Sequence, residues 1–464
     1  MKKTIVLQSI DSPRRDFEWR LLMAKKLGDH GVASIIGSKT AIKTIHRHTT
    51  DAIFFGRLNS NNGRSEGDKK YLDEMEKRGT KIFFIHDEGA FYLKERYEKS
   101  VNRIYPKEYL SKSIVERMYF WGESQKNILT KSLESENNKM LVTGHPRFDL
   151  CKEDYSFLDE DKVAAIRNKY PPFILVAGRF AGPNKGTSDK SPLSQGQLGI
   201  LNFNNDLGLQ RKYLIESMFG NWAKTTHEFA EFVVMISRLA IDFPEKTFIV
   251  RPHPSESMSF YSEAFSHFPN VFINKEGDVR PWIRACDAVI QSECTTGLES
   301  VIGNKPTINF RPAITAESQY GVEGLLELGH QAHHYSELKE KLTNILNKET
   351  HHYSLNSTKK HLLNVNSTDF AVDIIINDIL DFIKLKKPQS EINLYDFLTP
   401  KSSLKHRIYK LFKIKMQKEN ELNLNPMDSK EYKFDDEDIM LLWKAMGGRA
   451  EDIIINKGTV FTYF

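Results

Sequence analysis

The chain has 464 residues, 40% of them hydrophobic and 27% charged, which excludes a disordered chain and allows roughly two or three domains with full-sized cores. Its formal net charge of +5 is small for this length and argues against a nucleic-acid partner. The three cysteines lack the spacing of a disulfide framework or a structural zinc site, so we expect neither. The first apolar run breaks at Asp11, too early for a secretion signal, and no run reaches the roughly 18 residues of a membrane span. We expect a cytoplasmic protein, either soluble or peripheral on the inner face of the cell membrane.

Short apolar runs alternate with helical patterns along the chain, which predicts βα units and parallel sheets. The first set of predicted strands reads TIVLQSI, ASIIGS, AIFFGR, KIFFIHDEG, RMYFWGES and NKMLVTGHPR. A charged stretch and the break at Tyr170-Pro171-Pro172 precede the second set, FILVAG, KTFIVRPHP, NVFINKE, DAVIQSE and KPTINF. We predict an α/β protein with two Rossmann-like, doubly wound domains facing a cleft, residues 1–165 and 170–385, and a C-terminal extension, residues 386–464.

Two helical segments follow the last predicted strand. Residues 367–385 have apolar residues at helical spacing, and we predict a helix that closes the second domain. Residues 401–418, KSSLKHRIYKLFKIKMQK, form a basic amphipathic pattern that is typical of a helix lying on an anionic membrane surface. The alternative is a helix packed on the protein with a solvated basic face, because amphipathicity alone does not separate the two.

A charged turn, His86-Asp87-Glu88-Gly89, follows the predicted strand KIFFI. Side chains at the carboxyl end of a parallel strand point towards a ligand crevice. One carboxylate of the pair is a candidate general base, and the glycine lets a substrate approach the backbone. We prefer Asp87 slightly over Glu88, and a plain solvated turn is the alternative.

A second candidate, Arg251-Pro252-His253-Pro254, follows the strand KTFIV. The two prolines fix the backbone around the histidine, whose imidazole can bind a phosphate or protonate a leaving group. Arg251 can add a permanent charge beside it. A purely structural histidine is the alternative.

A third candidate runs from the strand DAVIQSE into the start of a helix at residues 294–300. A strand, a hydroxyl-rich turn and a helix N-terminus form an anion site of the kind that holds nucleotide phosphates, and Glu299 is placed to reach a ribose hydroxyl. The alternative is an ordinary helix cap formed by Thr295 or Thr296. The predicted nucleotide- and phosphate-binding residues are Arg251, Pro254, Ser292, Glu293, Thr295, Thr296, Gly297 and Glu299. Residues predicted to line the cleft, each with a plain turn as alternative, are His86, Gly89, Gly144, Arg147, Gly178 and Arg179.

The order of three motifs, at residues 87–89, 253–254 and 295–296, resembles that of the bacterial sialyltransferases and polysialyltransferases, and more loosely that of the capsule Kdo transferases. The resemblance covers about residues 1–385 and extends to bacterial surface carbohydrate biosynthesis proteins in general. It implies a GT-B fold and a CMP-activated acidic sugar as donor, with no metal or other cofactor. It implies a surface polysaccharide or glycolipid as acceptor.

The resemblance also implies roles for individual residues. Asp87 or Glu88 would take the proton from the acceptor hydroxyl, His253 would bind the CMP phosphate or assist its departure, and Thr295 and Thr296 would hold that phosphate. The sequence departs from the family in having Glu and Cys within the hydroxyl-rich turn and Arg before the His-Pro pair. It leaves open whether the sugar is Kdo or a sialic-acid-like nonulosonate, and whether transfer retains or inverts configuration.

Other functions fit the same predicted architecture. A CDP-glycerol or polyol-phosphate transferase and a UDP-sugar epimerase also use a two-domain cleft. A non-catalytic scaffold for capsule assembly, attached through residues 401–418, is an alternative from another class. The sequence alone does not separate these functions from CMP-sugar transfer.

Overall fold

The computed structural model describes residues 3–57, 66–89, 94–131, 133–184, 208, 220–312, 328–348, 355–365, 367–392, 435–456 and 459–463. The chain divides into two compact units. The first comprises Met1–Ala90, Glu98–Leu150 and Lys360–Phe464, and the second Phe91–Tyr97 and Cys151–Lys359.

The helices of the described residues are Pro13–Gly28, Lys39–His46, Glu66–Lys77, Lys94–Ile104, Lys107–Leu110, Glu123–Thr130, Pro146–Asp149, Glu160–Lys169, Gly220–Asp242, Met258–Ala264, Arg280–Ala285, Thr295–Ile302, Tyr335–Leu346, Asn356–His361, Ala371–Lys386 and Asp436–Ala445. Short 3₁₀ helices cover Glu134–Lys139, Glu153–Asp159, Leu363–Val365 and Ala450–Asp452.

The first unit is built on a large, mainly parallel sheet. Its strands are β1 (Ile5–Ile10), β2 (Ala33–Ser38), β4 (Ile53–Phe55), β5 (Lys81–Ile85), β6 (Val115–Phe120), β7 (Met140–Val142), β15 (Ile453–Asn456) and β16 (Thr459–Thr462). Within the described residues their order is β15-β16-β2-β1-β4-β5-β6-β7. From β2 to β7 the strands of this order pair in parallel, whereas β16 pairs antiparallel with β2. A small separate pair joins β3 (Thr49–Thr50) to β14 (Glu391–Ile392).

The second unit is built on a parallel sheet. Its strands are β8 (Phe173–Ala177), β9 (Thr247–Arg251), β10 (Val271–Ile273), β11 (Ala288–Gln291), β12 (Thr307–Phe310) and β13 (His330–Ala332). Their order among the described residues is β10-β9-β8-β11-β12-β13. This is the 3-2-1-4-5-6 order of dinucleotide-binding folds, in which the winding reverses between the first and fourth strands. The reversal lies between β8 and β11, and ligands bind at the carboxyl ends of strands at such a point.

The strands confirm the predicted α/β class with two Rossmann-like, doubly wound sheets. All eleven predicted apolar runs contain a strand. In β1, β2, β8 and β9 every residue is buried, as expected for strands covered on both faces.

The helix predicted at residues 367–385 forms, as Ala371–Lys386, but it packs in the first unit instead of closing the second. The Val372 backbone N–H donates to Asp149 at 2.8 Å. Asp378 accepts hydrogen bonds from Arg117 at 2.9 Å and from the Tyr119 hydroxyl at 2.8 Å. Periodicity predicts a helix and its apolar face, but it does not show which sheet that face covers.

The end of the chain also belongs to the first unit, where the sequence predicted a separate extension. Helix Asp436–Ala445 packs its buried Trp443 into a core with Phe17, Leu21 and Val460. The strands β15 and β16 extend the first sheet beyond β2. The basic segment at residues 401–418 lies outside the described residues. Across the part of the chain that the structure describes, no helix has the length and apolarity needed to cross a membrane.

Candidate active site

Charged side chains gather in the first unit at the carboxyl ends of β1, β4 and β5. The winding of this sheet reverses between β1 and β4, since β2 lies on the other side of β1. Asp11 follows β1, Arg57 follows β4 and Asp87 follows β5. Arg57 pairs with Asp11, and its Nε lies 3.2 Å from Asp87 Oδ2. The three turns are therefore tied together by ion pairs at the point where such a sheet binds ligands.

Asp87, one of the two predicted bases, lies inside this charge cluster. It is 2% exposed. Its Oδ1 is 3.4 Å from Arg20 Nη2, which belongs to the buried side of helix Pro13–Gly28. Burial, followed by the neighbouring Asp16, raises the pKa of Asp87 above its usual value, although Arg20 and Arg57 act in the opposite direction. Asp87 thus forms buried ion pairs with Arg20 and Arg57, and an acceptor substrate cannot reach it from solvent.

Glu88 has the opposite environment. Its side chain is 59% exposed and pairs with Arg15 at the start of helix Pro13–Gly28. Its backbone N–H donates to His86 Nδ1 at 3.0 Å. Of the predicted pair, Glu88 is the carboxylate that a substrate can reach.

His86 and Gly89 hold the turn in place. The His86 carbonyl accepts a hydrogen bond from Trp121 Nε1 at 2.8 Å, and the Gly89 carbonyl accepts one from Gln125 at the same distance. Burial, reinforced by the charge of Arg57, holds the pKa of His86 well below its usual value. The imidazole is therefore a neutral acceptor that shapes the turn.

Gly144 and Arg147, predicted to line the cleft, follow the edge strand β7. Gly144 has φ of 79°, and a Cβ there would lie 2.4 Å from Asn364 Oδ1, so only glycine fits. The Arg147 guanidinium lies 4.6 Å from the centre of the Phe148 ring. The approach of Gly144 to Asn364 and the contact of Arg147 with Phe148 both lie within the first unit.

In the second unit, the turns after β8, β11 and β12 converge on Glu293. Glu293 is 2% exposed and has φ of 44°, a left-handed conformation that is rare outside glycine. Its carboxylate accepts from Arg179, and from Arg311 Nε at 2.9 Å. We predicted a nucleotide contact for Glu293, but in the structure it holds two guanidinium groups beside the point where the winding reverses.

Helix Thr295–Ile302 begins immediately after this turn. Its N-cap residue is Cys294, whose side chain makes no capping hydrogen bond, so neither Thr295 nor Thr296 caps the helix. Thr295 is exposed, whereas Ser292 and Thr296 are buried, and Glu299 is half-buried. The positive end of the helix dipole and the exposed hydroxyl of Thr295 provide the features of an anion site.

Two glycines let the backbone pack closely around this site. A Cβ at Gly297 would lie 2.8 Å from Gln291 Cδ, and a Cβ at Gly178 would lie 2.5 Å from the Phe180 ring. Gly297 was predicted to bind the nucleotide and Gly178 to line the cleft. In the structure Gly297 lets the first turn of helix Thr295–Ile302 pack on Gln291, and Gly178 lets the segment after β8 pass close to the Phe180 ring.

His253 and Pro254 are exposed in the turn after β9. The His253 Nδ1 accepts from the Ser255 backbone at 3.2 Å, which directs the ring. Its own backbone N–H donates to Glu256 at 3.1 Å. Glu256 is buried and also accepts from the Phe180 backbone at 2.8 Å and the Tyr261 hydroxyl at 2.7 Å.

Sequence reasoning missed Glu256, which joins the turn after β9 to the turn after β8. Burial raises its pKa despite these hydrogen bonds. The signal was a carboxylate three residues after His253, close enough in sequence for its side chain to accept from the backbone of the same turn.

The Arg251 side chain, predicted to contact a phosphate, is hydrogen-bonded to the backbone of the segment after β10. Its guanidinium donates to the carbonyls of Glu276 at 2.8 Å and Gly277 at 2.9 Å. It also lies 5.0 Å from the centre of the Trp282 ring. These contacts hold the buried guanidinium within the second unit, and the phosphate contact of Arg251 stays a prediction.

The described residues contain no group of three or more side chains arranged to hold a metal ion.

Comparisons with known proteins give similarity at the level of solved structures only. No family model matches the chain, and no curated protein matches it. A UDP-GlcNAc 2-epimerase from Methanocaldococcus jannaschii is 12% identical, with a TM-score of 0.48, over 82% of this chain and 100% of that one. A UDP-GlcNAc 2-epimerase from Neisseria meningitidis bound to UDP-GlcNAc is 12% identical, with a TM-score of 0.46 and the same coverage. The wall teichoic acid polymerase TagF is 12% identical, with a TM-score of 0.47, over 83% of this chain and 90% of that one. Similarities this distant carry no argument about function, which rests on the residues described above.

Proposed function

We propose that the protein is a bacterial glycosyltransferase of the GT-B type. It transfers an acidic 2-keto-3-deoxy sugar, Kdo or a sialic-acid-like nonulosonate, from a CMP-activated donor to a surface polysaccharide or glycolipid. The observation that carries the proposal is the anion site at the winding reversal of the second sheet. There the start of helix Thr295–Ile302 lies beside Glu293, whose buried carboxylate accepts from Arg179 and Arg311 of two neighbouring turns.

The second unit is proposed to hold the donor. Backbone N–H groups at the helix start and the Thr295 hydroxyl would bind the CMP phosphate, with cationic support from Arg179 and Arg311. His253 would contact the same phosphate as it leaves, and Glu256 supports that role by fixing the backbone of His253. Glu299, half-buried one turn into the helix, would reach a ribose hydroxyl.

The first unit is proposed to supply the base. Glu88 accepts the proton of the acceptor hydroxyl while that oxygen bonds to the anomeric carbon of the sugar. The bond from that carbon to the CMP phosphate breaks, and CMP departs as the anion. The exposure of Glu88 supports it over Asp87. No step of this reaction requires a cofactor.

Nucleotide selectivity tests the proposal. Thermal unfolding is measured with CMP, CDP and UDP, since a ligand that binds the native state adds stability, by about 2.7 kcal/mol at a hundredfold excess over Kd. CMP is expected to stabilise most. His253→Ala should lose about 2–4 kcal/mol of transition-state stabilisation with the CMP-sugar. The exposed His267→Ala is the matched control.

The same screen separates the other functions. Preference for CDP would indicate a polyol-phosphate transferase, and preference for UDP an epimerase. If none of the three nucleotides raises the thermal stability, the non-catalytic scaffold is the remaining function. Any of these results defeats the proposal. If CMP stabilises most, product analysis with CMP-Kdo and CMP-N-acetylneuraminate identifies the donor sugar.

A further inference from the structure

A pocket of about 460 Å³ lies in the second unit beside the ends of β12 and β13. Helix Gly220–Asp242 forms one wall, and the segment after β13 forms the other. The turn after β12 separates this pocket from the proposed donor site. The Arg311 side chain in that turn reaches Glu293, whereas its carbonyl is 2.8 Å from His333 Nδ1 in the pocket wall. Every residue of the wall lies outside the site proposed for CMP.

On one side of the pocket the guanidinium of Arg238 packs against the aromatic ring of Tyr335. Arg238 is exposed on helix Gly220–Asp242, and its guanidinium carbon lies 5.4 Å from the centre of the Tyr335 ring. The Tyr335 hydroxyl donates to Asp242 at 2.8 Å, and Lys339 pairs with the same carboxylate at 2.9 Å. The hydrogen bond to Asp242 therefore fixes the Tyr335 ring against which the Arg238 guanidinium packs.

The imidazole of His333 is oriented as well. A carbonyl only accepts hydrogen bonds, so Nδ1 of His333 donates to Arg311, and the backbone N–H of His333 donates to Glu337 at 2.8 Å. The other ring nitrogen, Nε2, is then the atom that can meet a ligand, as an acceptor when the ring is neutral. His334 and His227 add two further imidazoles to the wall.

The pocket also contains an acidic group and apolar surface. Glu231 lies one turn from His227 on the same helix and accepts hydrogen bonds only. Its aromatic lining residues are Tyr335 and the almost fully buried Phe310. A ligand that fits must bring an anion for Arg238, hydroxyl donors for Glu231 and a carbon skeleton for the rings. Inorganic phosphate lacks the last of these, and a neutral sugar lacks the first.

We propose that this pocket binds a carboxylate-bearing sugar unit, separately from the nucleotide of the donor. The carboxylate pairs with the planar fork of Arg238, a geometry that favours two parallel hydrogen bonds. The hydroxyl groups meet Glu231 and the imidazoles, and the ring packs on Tyr335. The volume falls in the range of small-molecule sites, roughly 300–1,000 Å³. The proposal does not depend on CMP-sugar transfer.

Direct binding to the full chain tests it, by saturation-transfer NMR titration without nucleotide. The main comparison is between glucuronate and glucose, because glucuronate carries a carboxylate where glucose carries a hydroxymethyl group. Glucuronate is expected to bind at least about tenfold more tightly, the effect of one charge-assisted hydrogen-bonding group. N-acetylneuraminate should compete with it, and inorganic phosphate should not.

Variants locate the binding. Arg238→Ala should weaken glucuronate binding on the order of tenfold or more and leave glucose unchanged. Lys341→Ala removes a charge from helix Tyr335–Leu346 outside the pocket wall and should bind normally. If Arg238→Ala lowers the melting temperature, Arg238→Lys replaces it, and should bind with intermediate affinity because it keeps the charge but loses the fork.

The proposal would be overturned by equal binding of glucose and glucuronate, by normal binding to the Arg238 variants, or by displacement of glucuronate by phosphate at similar concentration. Competition by CMP would place glucuronate in the donor site and would also defeat a separate pocket. A chain that binds glucuronate here but none of the three nucleotides would keep this proposal while the proposed function fails.

Discussion

Asp87 and Glu88 are neighbours in sequence whose side chains face different surroundings, as expected where side-chain direction alternates at a strand end. Asp87 lies among arginines at 2% exposure, and Glu88 lies at the surface. A general base must come within hydrogen-bond reach of the proton it accepts. At the scale of single residues, accessibility therefore decides between two chemically equivalent carboxylates.

Glu88→Gln is expected to lower turnover by about 100- to 10,000-fold, the cost of losing a general base, while CMP binding stays unchanged. Asp87→Asn is the matched variant and should keep most of the turnover. The amide keeps an oxygen acceptor for Arg20 and Arg57 but removes the charge of two buried ion pairs, so this substitution should lower stability more than turnover. Initial rates with a CMP-sugar donor and calorimetric CMP titration provide the two measurements. A large loss in Asp87→Asn with normal turnover in Glu88→Gln would reverse the assignment.

At the scale of elements, the last part of the chain completes the first unit. The Trp443 ring is fully buried, packs edge-on against Tyr463 with 5.6 Å between ring centres, and donates from Nε1 to the Arg449 carbonyl at 2.9 Å. Strand β16 covers the edge of β2. An uncovered parallel strand of this length presents unpaired backbone groups to other chains.

Trp443→Ala should lower the free energy of unfolding by about 3–5 kcal/mol, because it empties a large volume in a core shared with helix Pro13–Gly28. Leu441→Ala, on the same helix at 60% exposure, should change it by less than about 0.5 kcal/mol. Urea denaturation followed by circular dichroism measures both. Similar values for the two variants would mean that helix Asp436–Ala445 is not part of the cooperative core.

Local pattern predicted the apolar strands because strands buried on both faces form continuous apolar runs. It missed β13, HQA, which is short and polar, and β15 and β16, whose pairing with β2 joins distant parts of the chain. Their positions shortly after predicted strands also identified Glu88, His253 and Thr295 as candidate site residues. The contacts of the predicted site residues were harder to foresee, since the partners of Arg251 and Glu293 come from other turns.

Partners missed by the sequence reasoning share the same physical reason. Arg20 lies within an ordinary helix, and only tertiary contact brings it to Asp87. Arg311 follows β12 as one basic residue among many, and its pairing with Glu293 depends on two turns meeting. Such pairings have no local signature.

At the scale of the whole molecule, three histidines of the first unit are buried in neutral form. Burial lowers the pKa of His46 to about 4 and holds those of His86 and His145 well below their usual value. When the folded pKa is depressed, the unfolded state binds more protons at mildly acidic pH. Stability present above about pH 6.5 is then lost progressively as the pH falls towards the folded pKa.

The free energy of unfolding of the first unit is expected to fall between pH 6.5 and about 4, by about 3 kcal/mol from His46 alone. His46→Gln should flatten this dependence, whereas the exposed His48→Gln should follow the wild type. Urea denaturation at several pH values, with hydrogen exchange to locate the first unit, makes the measurement. A pH profile identical in His46→Gln and wild type would contradict it.

Membrane attachment through residues 401–418 stays a prediction. Truncation is a poor test, because it would also remove residues 435–463 from the first unit. Replacing Lys405, Lys410 and Lys413 with glutamine removes the charge and leaves residues 435–463 in the chain. Each lysine near an anionic surface contributes about 1 kcal/mol at low salt, so flotation with anionic vesicles should fall sharply.

The control for that experiment replaces three exposed lysines of helix Glu66–Lys77, Lys69, Lys70 and Lys77, with glutamine. It removes the same charge from another surface. Equal flotation of both triple variants would show that residues 401–418 do not attach the protein to the vesicle.

The pairing of β16 with β2 also sets an order of events during synthesis. A hydrogen bond in this pair joins residues 428 positions apart, Thr462 and Ser34. The ribosome therefore makes the whole second unit after β2 and before β16, the strand that pairs with the outer edge of β2. At about 5–20 residues per second this interval lasts on the order of tens of seconds. The nascent chain must remain soluble with that edge open, so yield in the cell should depend on chaperones that bind before translation ends.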